Sequence, residues 1–284
     1  MKNYNPLLQP ILKWVGGKRQ LLSEITPLIP KRISTYVEPF VGGGALLFNV
    51  QPKKAIINDL NEELINTYKV IKDSPEKLIQ ELKFHSSNNG EDYFYKIRSI
   101  DRELEYTNMN NVSKAARIIY LNKTCYNGLY RVNSSGFFNT PYGKYKSPNI
   151  VNETMIRAMS NYFNKANVKI LNGDYKYALK GLRKGSFVYF DPPYVPISTS
   201  SSFTGYTEQG FDLDNQKELK EECDKLNSRG IKFLQSNSDT PFIRKLYSNY
   251  NIKTVQAKRT INSNAQKRGE INEVLIYNYE PGKL

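Results

Sequence analysis

Residues 35–48 read Thr-Tyr-Val-Glu-Pro-Phe-Val-Gly-Gly-Gly-Ala-Leu-Leu-Phe. A short β-rich run, Thr35–Val37, meets three consecutive glycines and then residues that favour a helix. Strand, glycine loop and helix in that order open a βαβ unit, which few folds accommodate. Glycines at such a turn let a ligand approach the backbone and the first amides of the helix. The next β-rich run, Ala55-Ile56-Ile57-Asn58, ends at Asp59. In nucleotide-binding α/β sheets an acid at that place receives ribose hydroxyls, so Gly42, Gly43, Gly44 and Asp59 together suggest a cofactor that carries a ribose. The GxGxxG spacing is missing, and three glycines alone also fit a plain tight turn.

The pattern around this unit is strand–helix alternation, interrupted once. Helices are expected over Lys18–Leu28, Glu62–Ile71 and Glu76–Phe84. Further on, Ser113–Lys123 reads as helix and Cys125–Asn149 as a turn-rich, aromatic, basic segment. Strands resume at Val168–Leu171, Ser186–Phe190, Ile231–Gln235, Ile252–Val255 and Glu273–Tyr279, with helices at Asn215–Asn227 and Phe242–Tyr247. Strands separated by helices argue for an α/β fold with a parallel-rich sheet. The expected organisation is one α/β domain, 1–63 and 152–284, carrying an inserted domain over 64–151.

Lys plus Arg is 41 and Asp plus Glu is 27 in 284 residues, a formal charge of +14. Such an excess points to a polyanion, most often nucleic acid. It is concentrated in two windows without acids. Residues 106–152 hold Lys114, Arg117, Lys123, Arg131, Lys144 and Lys146; residues 240–269 hold Arg244, Lys245, Lys253, Lys258, Arg259, Lys267 and Arg268. Both read as phosphate-contacting surfaces. A single histidine, His85, in a polar stretch excludes a Ser-His-Asp triad and gives no metal-ligand spacing. Cys125 and Cys223 form no CxxC, so a reducing cytosol is expected. No apolar run reaches membrane length, and the first ten residues lack a signal-peptide stretch. No metal, no membrane and a monomer are the expectations.

Two further motifs carry chemistry. Lys13-Trp14-Val15-Gly16-Gly17-Lys18 contains the only Trp, a glycine pair and a cation, without Walker spacing. Asp191-Pro192-Pro193-Tyr194 follows the apolar run Phe187–Phe190 and so falls at a strand's carboxyl end, where open α/β sheets bind ligands. Two prolines remove N–H donors and leave carbonyl acceptors. Acceptors, the Asp191 carboxylate and the flat Tyr194 ring suit a planar heterocycle with an exocyclic amine.

In this order, with the insert, these motifs resemble the Dam family of DNA adenine-N6 methyltransferases, closest to the DpnII-type restriction-modification methylases. The resemblance runs from Pro10 to about Tyr279. It includes Tyr126-Asn127-Gly128-Leu129-Tyr130-Arg131-Val132-Asn133 and Phe138-Asn139-Thr140-Pro141-Tyr142-Gly143 in the insert. Asp-Pro-Pro-Tyr alone marks amino-methyltransferases generally; the insert motifs are more specific.

The resemblance implies a Rossmann-like, mostly parallel sheet with an antiparallel strand, a mainly helical recognition insert, S-adenosylmethionine as cofactor and double-stranded GATC as target. It implies cofactor contacts from Trp14, Lys18, Glu38, Phe40, Gly42, Gly43, Gly44, Asp59, Asp174 and Asp191. Asp191, Pro192, Pro193 and Tyr194 become the catalytic tetrad. Arg131 resembles an arginine that reads guanine. Tyr126 and Leu129 match residues that wedge into the duplex, and Lys13, Asn127 and Pro141 match base neighbours. Lys144 and Lys146 look like phosphate contacts, and Tyr130 stands where the family varies. Residues 196–212, rich in Ser, Thr and Gly, are expected to form a mobile loop over DNA or cofactor. The rival readings are a cytosine-N4 or RNA adenine methyltransferase, a DNA-binding regulator on a methylase core, and a nicotinamide-dependent oxidoreductase. The last leaves the basic charge and the Pro-Pro tetrad without a role.

Overall fold

The computed structural model describes residues 4–195, 211–258 and 270–282. Its strands are β1 (Thr35–Glu38), β2 (Ala55–Asp59), β3 (Val168–Asn172), β4 (Ser186–Phe190), β5 (Lys232–Ser238), β6 (Asn251–Lys258) and β7 (Glu270–Tyr277). They form one seven-stranded sheet in the order β3-β2-β1-β4-β5-β7-β6. β1, β4 and β5 pair in parallel, and β7 runs antiparallel between β5 and β6. This is the α/β architecture expected from the alternation, with the antiparallel strand that the resemblance implies. The chain passes from β1 to β2 on one side and later from β4 to β5 on the other, so its strand order reverses between β1 and β4.

By compactness the chain divides into two units. One takes its described residues from 1–17, 41–53 and 57–174; the other takes them from 18–40, 54–56 and 175–284. The expected insert, 64–151, falls wholly within the first.

In the second unit the expected helix over residues 18–28 breaks into a 3-10 turn (Lys18–Leu21), the short helix α1 (Leu22–Ile25) and a second 3-10 turn (Thr26–Leu28). Pro27 lacks the amide a continuous helix would need there. β4 is buried along its whole length, as its unbroken apolar run requires.

The first unit begins its helices with α2 (Ala45–Val50), α3 (Glu62–Asp73), α4 (Pro75–Ser87), α5 (Glu91–Ser99), α6 (Glu105–Asn108), α7 (Asn111–Thr124) and α8 (Glu153–Lys165). The second unit adds α9 (Leu213–Ser228) and α10 (Pro241–Leu246). Asn61, Asn110 and Asn152 cap α3, α7 and α8 by accepting from the third amide beyond them. α3 buries Leu64, Ile65, Tyr68 and Ile71, a helical stripe that packs with α7 and α8. The sequence reading assigns nothing between residues 150 and 167. α8 lies there, burying Met155, Ile156, Met159 and Phe163 at helical spacing.

His85, read as part of a polar stretch, is only 6% exposed. Its Nδ1 sits 2.8 Å from the Tyr93 hydroxyl, and its ring stacks on Tyr120 at 5.0 Å. Burial pushes its pKa down to about 4, so it is a neutral core group.

Candidate functional site

β1 and β4 lie side by side in parallel, with Thr35 opposite Ser186 and Val37 opposite Val188. Their carboxyl ends therefore emerge together at the reversal of strand order, where open α/β sheets bind ligands. Glu38-Pro39-Phe40 leaves from one strand and Asp191–Tyr194 from the other.

Asp191 is fixed by two donors on one oxygen. Lys18 Nζ lies 2.9 Å from Asp191 Oδ1, and Ser236 Oγ donates to the same oxygen at 2.8 Å. Lys18 is only 9% exposed, so the ion pair is drawn out of bulk water. The Lys18 ammonium also lies 4.5 Å from the centre of the Tyr194 ring, which assigns one face of that ring to a cation.

The Tyr194 hydroxyl donates to Glu273 Oε2 at 2.7 Å. Burial, with the charges of Asp191 and Glu273, holds that hydroxyl well above its ordinary pKa. Burial also raises the Glu273 carboxyl, while Lys18 and the Tyr194 hydroxyl oppose the rise. Two carbonyls of the turn are tethered: Gln216 Nε2 donates to Pro193 O at 2.8 Å, and Ser238 Oγ to Val195 O at 2.9 Å.

Phe40 stacks on Tyr175 at 5.1 Å and meets Phe211 edge-on at 5.7 Å. Glu38 is buried and accepts from the Tyr36 hydroxyl at 2.9 Å. Of the expected 196–212 loop, 196–210 lies outside the described residues.

In the first unit the glycine loop is bound on all sides. Gly42 has φ +47° and Gly44 φ +70°, the left-handed region that glycine enters without strain. The Gly42 amide donates to Asp59 Oδ2 at 2.9 Å, and the Asn61 amide to Asp59 Oδ1 at 3.0 Å. Burial raises the Asp59 carboxyl despite these amides. The Tyr68 hydroxyl donates to the Gly42 carbonyl at 2.7 Å. A Cβ on Gly42 would stand 3.2 Å from Trp14 Cδ1, and one on Gly43 would stand 3.3 Å from Trp14 Cβ.

Trp14 stacks in turn on Tyr130, with ring centres 4.5 Å apart. The Tyr130 hydroxyl donates to Glu63 Oε2 at 2.8 Å. Gly173 N donates to Asp59 O at 3.1 Å, which sets Asp174 beside the end of β2. Trp14, Gly42–Gly44 and Asp59 thus lie together, with Asp174 next to the residue that binds the end of β2.

The turn-rich segment 125–149 presents the expected recognition residues. Lys13 is clamped by Asn122, whose side chain accepts from Lys13 N at 2.8 Å and donates to Lys13 O at 3.0 Å and Gly128 O at 2.9 Å. Tyr126 N donates to Pro141 O at 2.8 Å, and the Tyr126 side chain is 58% exposed. Asn127 has φ +56° and is exposed. Thr140 Oγ1 donates to the Leu129 carbonyl at 2.6 Å. Arg131 opens a small hairpin bridged by Val132 and Phe138, and its Nε donates to Asn139 Oδ1 at 2.7 Å. Lys144 and Lys146 are exposed; Lys144 lies 3.4 Å from Glu91.

The charge windows need correcting. Arg117 is 1% exposed and pairs with Asp101 at 2.9 Å and Glu63 at 3.6 Å, so it is a core cation and not a phosphate contact. Arg244 pairs with Asp239 at 2.6 Å and Lys253 with Glu24 at 2.8 Å. Counting acids along the sequence misses those that folding brings in from elsewhere. Arg259, Lys267 and Arg268 lie outside the described residues.

Sequence reading missed Ser236, Glu273 and Gln216. A signal existed for the first. β5 reads Lys-Phe-Leu-Gln-Ser-Asn-Ser, and its polar end is buried throughout. Buried polar side chains at a strand's carboxyl end need partners, and here they find them in the Asp191 turn. Glu273 and Gln216 gave no local sign.

Among the described residues no group of three or more His, Cys, Asp or Glu could hold a metal ion. No described helix is long and apolar enough to cross a membrane.

The family model for D12 class N6 adenine-specific DNA methyltransferase matches residues 14–261. The chain is 46% identical over 272 residues to Type II methyltransferase M1.LlaDCHI of Lactococcus lactis subsp. cremoris, covering 96% of each chain. It is 45% identical over 290 residues to Type II methyltransferase M.MjaIII of Methanocaldococcus jannaschii, covering 96% of this chain and 99% of the relative. It is also 34% identical over 268 residues to the DNA adenine methylase of Vibrio cholerae, covering 93% and 94%. The chain belongs to the D12 class of N6 adenine-specific DNA methyltransferases.

Proposed function

We propose that this methyltransferase uses S-adenosylmethionine to methylate adenine N6 in double-stranded GATC, on a base turned out of the helix, as the modification partner of a restriction system. We read it as a monomer acting in the cytosol. The observation that carries the reading is Asp191, held on one oxygen by Lys18 and Ser236 at the carboxyl end of β4.

The residues present fit the cofactor. Gly42 and Gly43 let the loop backbone lie close against Trp14, where an added Cβ would crowd the ring. Asp59 offers a carboxylate for ribose hydroxyls, with Asp174 as a further contact. Bound, S-adenosylmethionine supplies an electrophilic methyl group on a sulfonium.

Adenine N6 is a weak nucleophile because its lone pair is delocalised into the ring. Positioning and charge stabilisation therefore matter more than a strong base. Asp191 Oδ2 and the Pro192 carbonyl accept hydrogen bonds from the two N6–H groups, drawing the nitrogen toward a tetrahedral form. Tyr194 stacks on the extruded base with the ring face that Lys18 leaves open. Pro193 holds the turn through its tethered carbonyl. In the insert, Arg131 reads a guanine with the guanidinium that Asn139 pre-orients. Tyr126 and Leu129 enter the duplex, and Lys13, Asn127 and Pro141 contact bases. Lys144 and Lys146 take phosphates, and the exposed Lys144–Glu91 pair is weak enough to yield.

Methyl transfer from labelled S-adenosylmethionine to GATC and scrambled duplexes, followed by nucleoside analysis, tests this. Label in N6-methyladenine on the GATC duplex alone is expected. Label on both would discard the site, and label in cytosine or only in RNA would discard the substrate.

A further inference from the structure

The antiparallel half of the sheet reaches the catalytic turn through three side chains. Ser236 and Ser238 are two apart on β5 and share one face; Ser238 pairs in register with Glu273 on β7, so Glu273 joins that face. Each meets a different part of the turn: Ser236 the Asp191 carboxylate, Ser238 the Val195 carbonyl, Glu273 the Tyr194 hydroxyl. Ser236 and Ser238 hold acceptors, whereas Glu273 holds the one aromatic ring. A tyrosine ring has two torsions, and its hydroxyl is the only polar handle that can fix both. Half-buried Glu273 accepts from that hydroxyl at 2.7 Å while the Lys18 ammonium covers one ring face, so the ring is held at its tip and on one side.

We propose that Glu273 is a positioning residue for methyl transfer, acting through the Tyr194 hydroxyl to hold the ring in the plane on which the extruded adenine stacks. This rests on the reading of Tyr194 as the stacking ring. Glu273 touches neither substrate nor cofactor in this role. Its removal lets the ring turn, so N6 leaves line with the methyl group while affinity for DNA and cofactor stays as it was.

The test uses single-turnover methyl transfer on a GATC duplex, with equilibrium DNA and S-adenosylmethionine binding measured in parallel. The fluorescence of 2-aminopurine at the target adenine reports base extrusion. Glu273→Ala is expected to slow the single-turnover rate about 10- to 100-fold, the range for losing one charge-assisted hydrogen bond. Both dissociation constants are expected to stay within about 2-fold. Glu273→Gln, whose carbonyl still accepts from the hydroxyl, should recover most of the rate. Tyr194→Phe should match Glu273→Ala, and the double variant should be no slower than either, because both remove one interaction.

A wild-type rate in Glu273→Ala, or multiplying losses in the double variant, overturns the proposal. So does a Glu273→Gln as slow as Glu273→Ala. Tyr194→Ala separates the two readings. If it keeps the 2-aminopurine signal and the rate, the stacking reading falls, and the proposal with it. If it loses both while Glu273→Ala behaves as wild type, only the role of Glu273 falls.

Discussion

Gly42 is specified by three neighbours and its own backbone angle. Its amide serves Asp59, its carbonyl takes the Tyr68 hydroxyl, its φ is +47°, and the Trp14 ring closes the space a Cβ would need. Gly42→Ala is therefore expected to destabilise the fold by about 1–2 kcal/mol and to weaken S-adenosylmethionine binding, read by thermal unfolding and cofactor titration. Unchanged affinity would take the loop out of the cofactor site. Asp191 is constrained differently, by charge and not by shape. Asp191→Asn keeps the size but loses the anion opposite Lys18, and turnover should fall at least ~10²-fold with DNA binding retained. Both residues were legible in the sequence because their motifs are local, a glycine run and an Asp-Pro-Pro-Tyr turn. Ser236 was signalled only by the polar end of β5, and Glu273 by nothing local. They reach the site through strand pairing across 45 and 79 residues, and no local pattern encodes that.

Elements carry the next level of specificity. α4, α5 and α7 meet around His85, Tyr93 and Tyr120, a polar trio inside an apolar bundle. His85 titrates near 6.5 when unfolded and at about 4 when folded. The unfolded chain therefore binds the proton more readily, and protonation favours unfolding. The stabilisation is present above pH 6.5 and is lost as pH falls toward 4, at most about 3 kcal/mol. Urea unfolding between pH 7 and 4 should show a steeper loss in wild type than in His85→Phe. Parallel slopes would show that the ring stays accessible to protons. Most strands and long helices follow from apolar runs or periodicity, as β4 and α3 illustrate. The 18–28 segment deviates because Pro27 interrupts it. Arg117 deviates because its partners, Asp101 and Glu63, lie outside the window in which its charge was counted.

For the molecule as a whole, the +14 charge is proposed to set affinity and the insert to set choice. Lys146→Ala should weaken binding to GATC and scrambled duplexes alike and lower the slope of log K against log salt by about 1. Arg131→Ala should instead cost about 1–3 kcal/mol of discrimination at one guanine. Fluorescence anisotropy across a salt series separates the two, and a uniform loss for Arg131→Ala would make it a phosphate contact.

The two cysteines add a practical consequence. Both are fully buried, and burial pushes the Cys125 thiol up to about 12 and the Cys223 thiol well above its ordinary range. Thiolate is the reactive species, so neither should couple to maleimides while the protein is folded. The natural chain is therefore a silent background for site-directed labelling. A cysteine placed at exposed Tyr126 would take the only dye, and that dye would report, in real time, the moment the enzyme seats on its duplex.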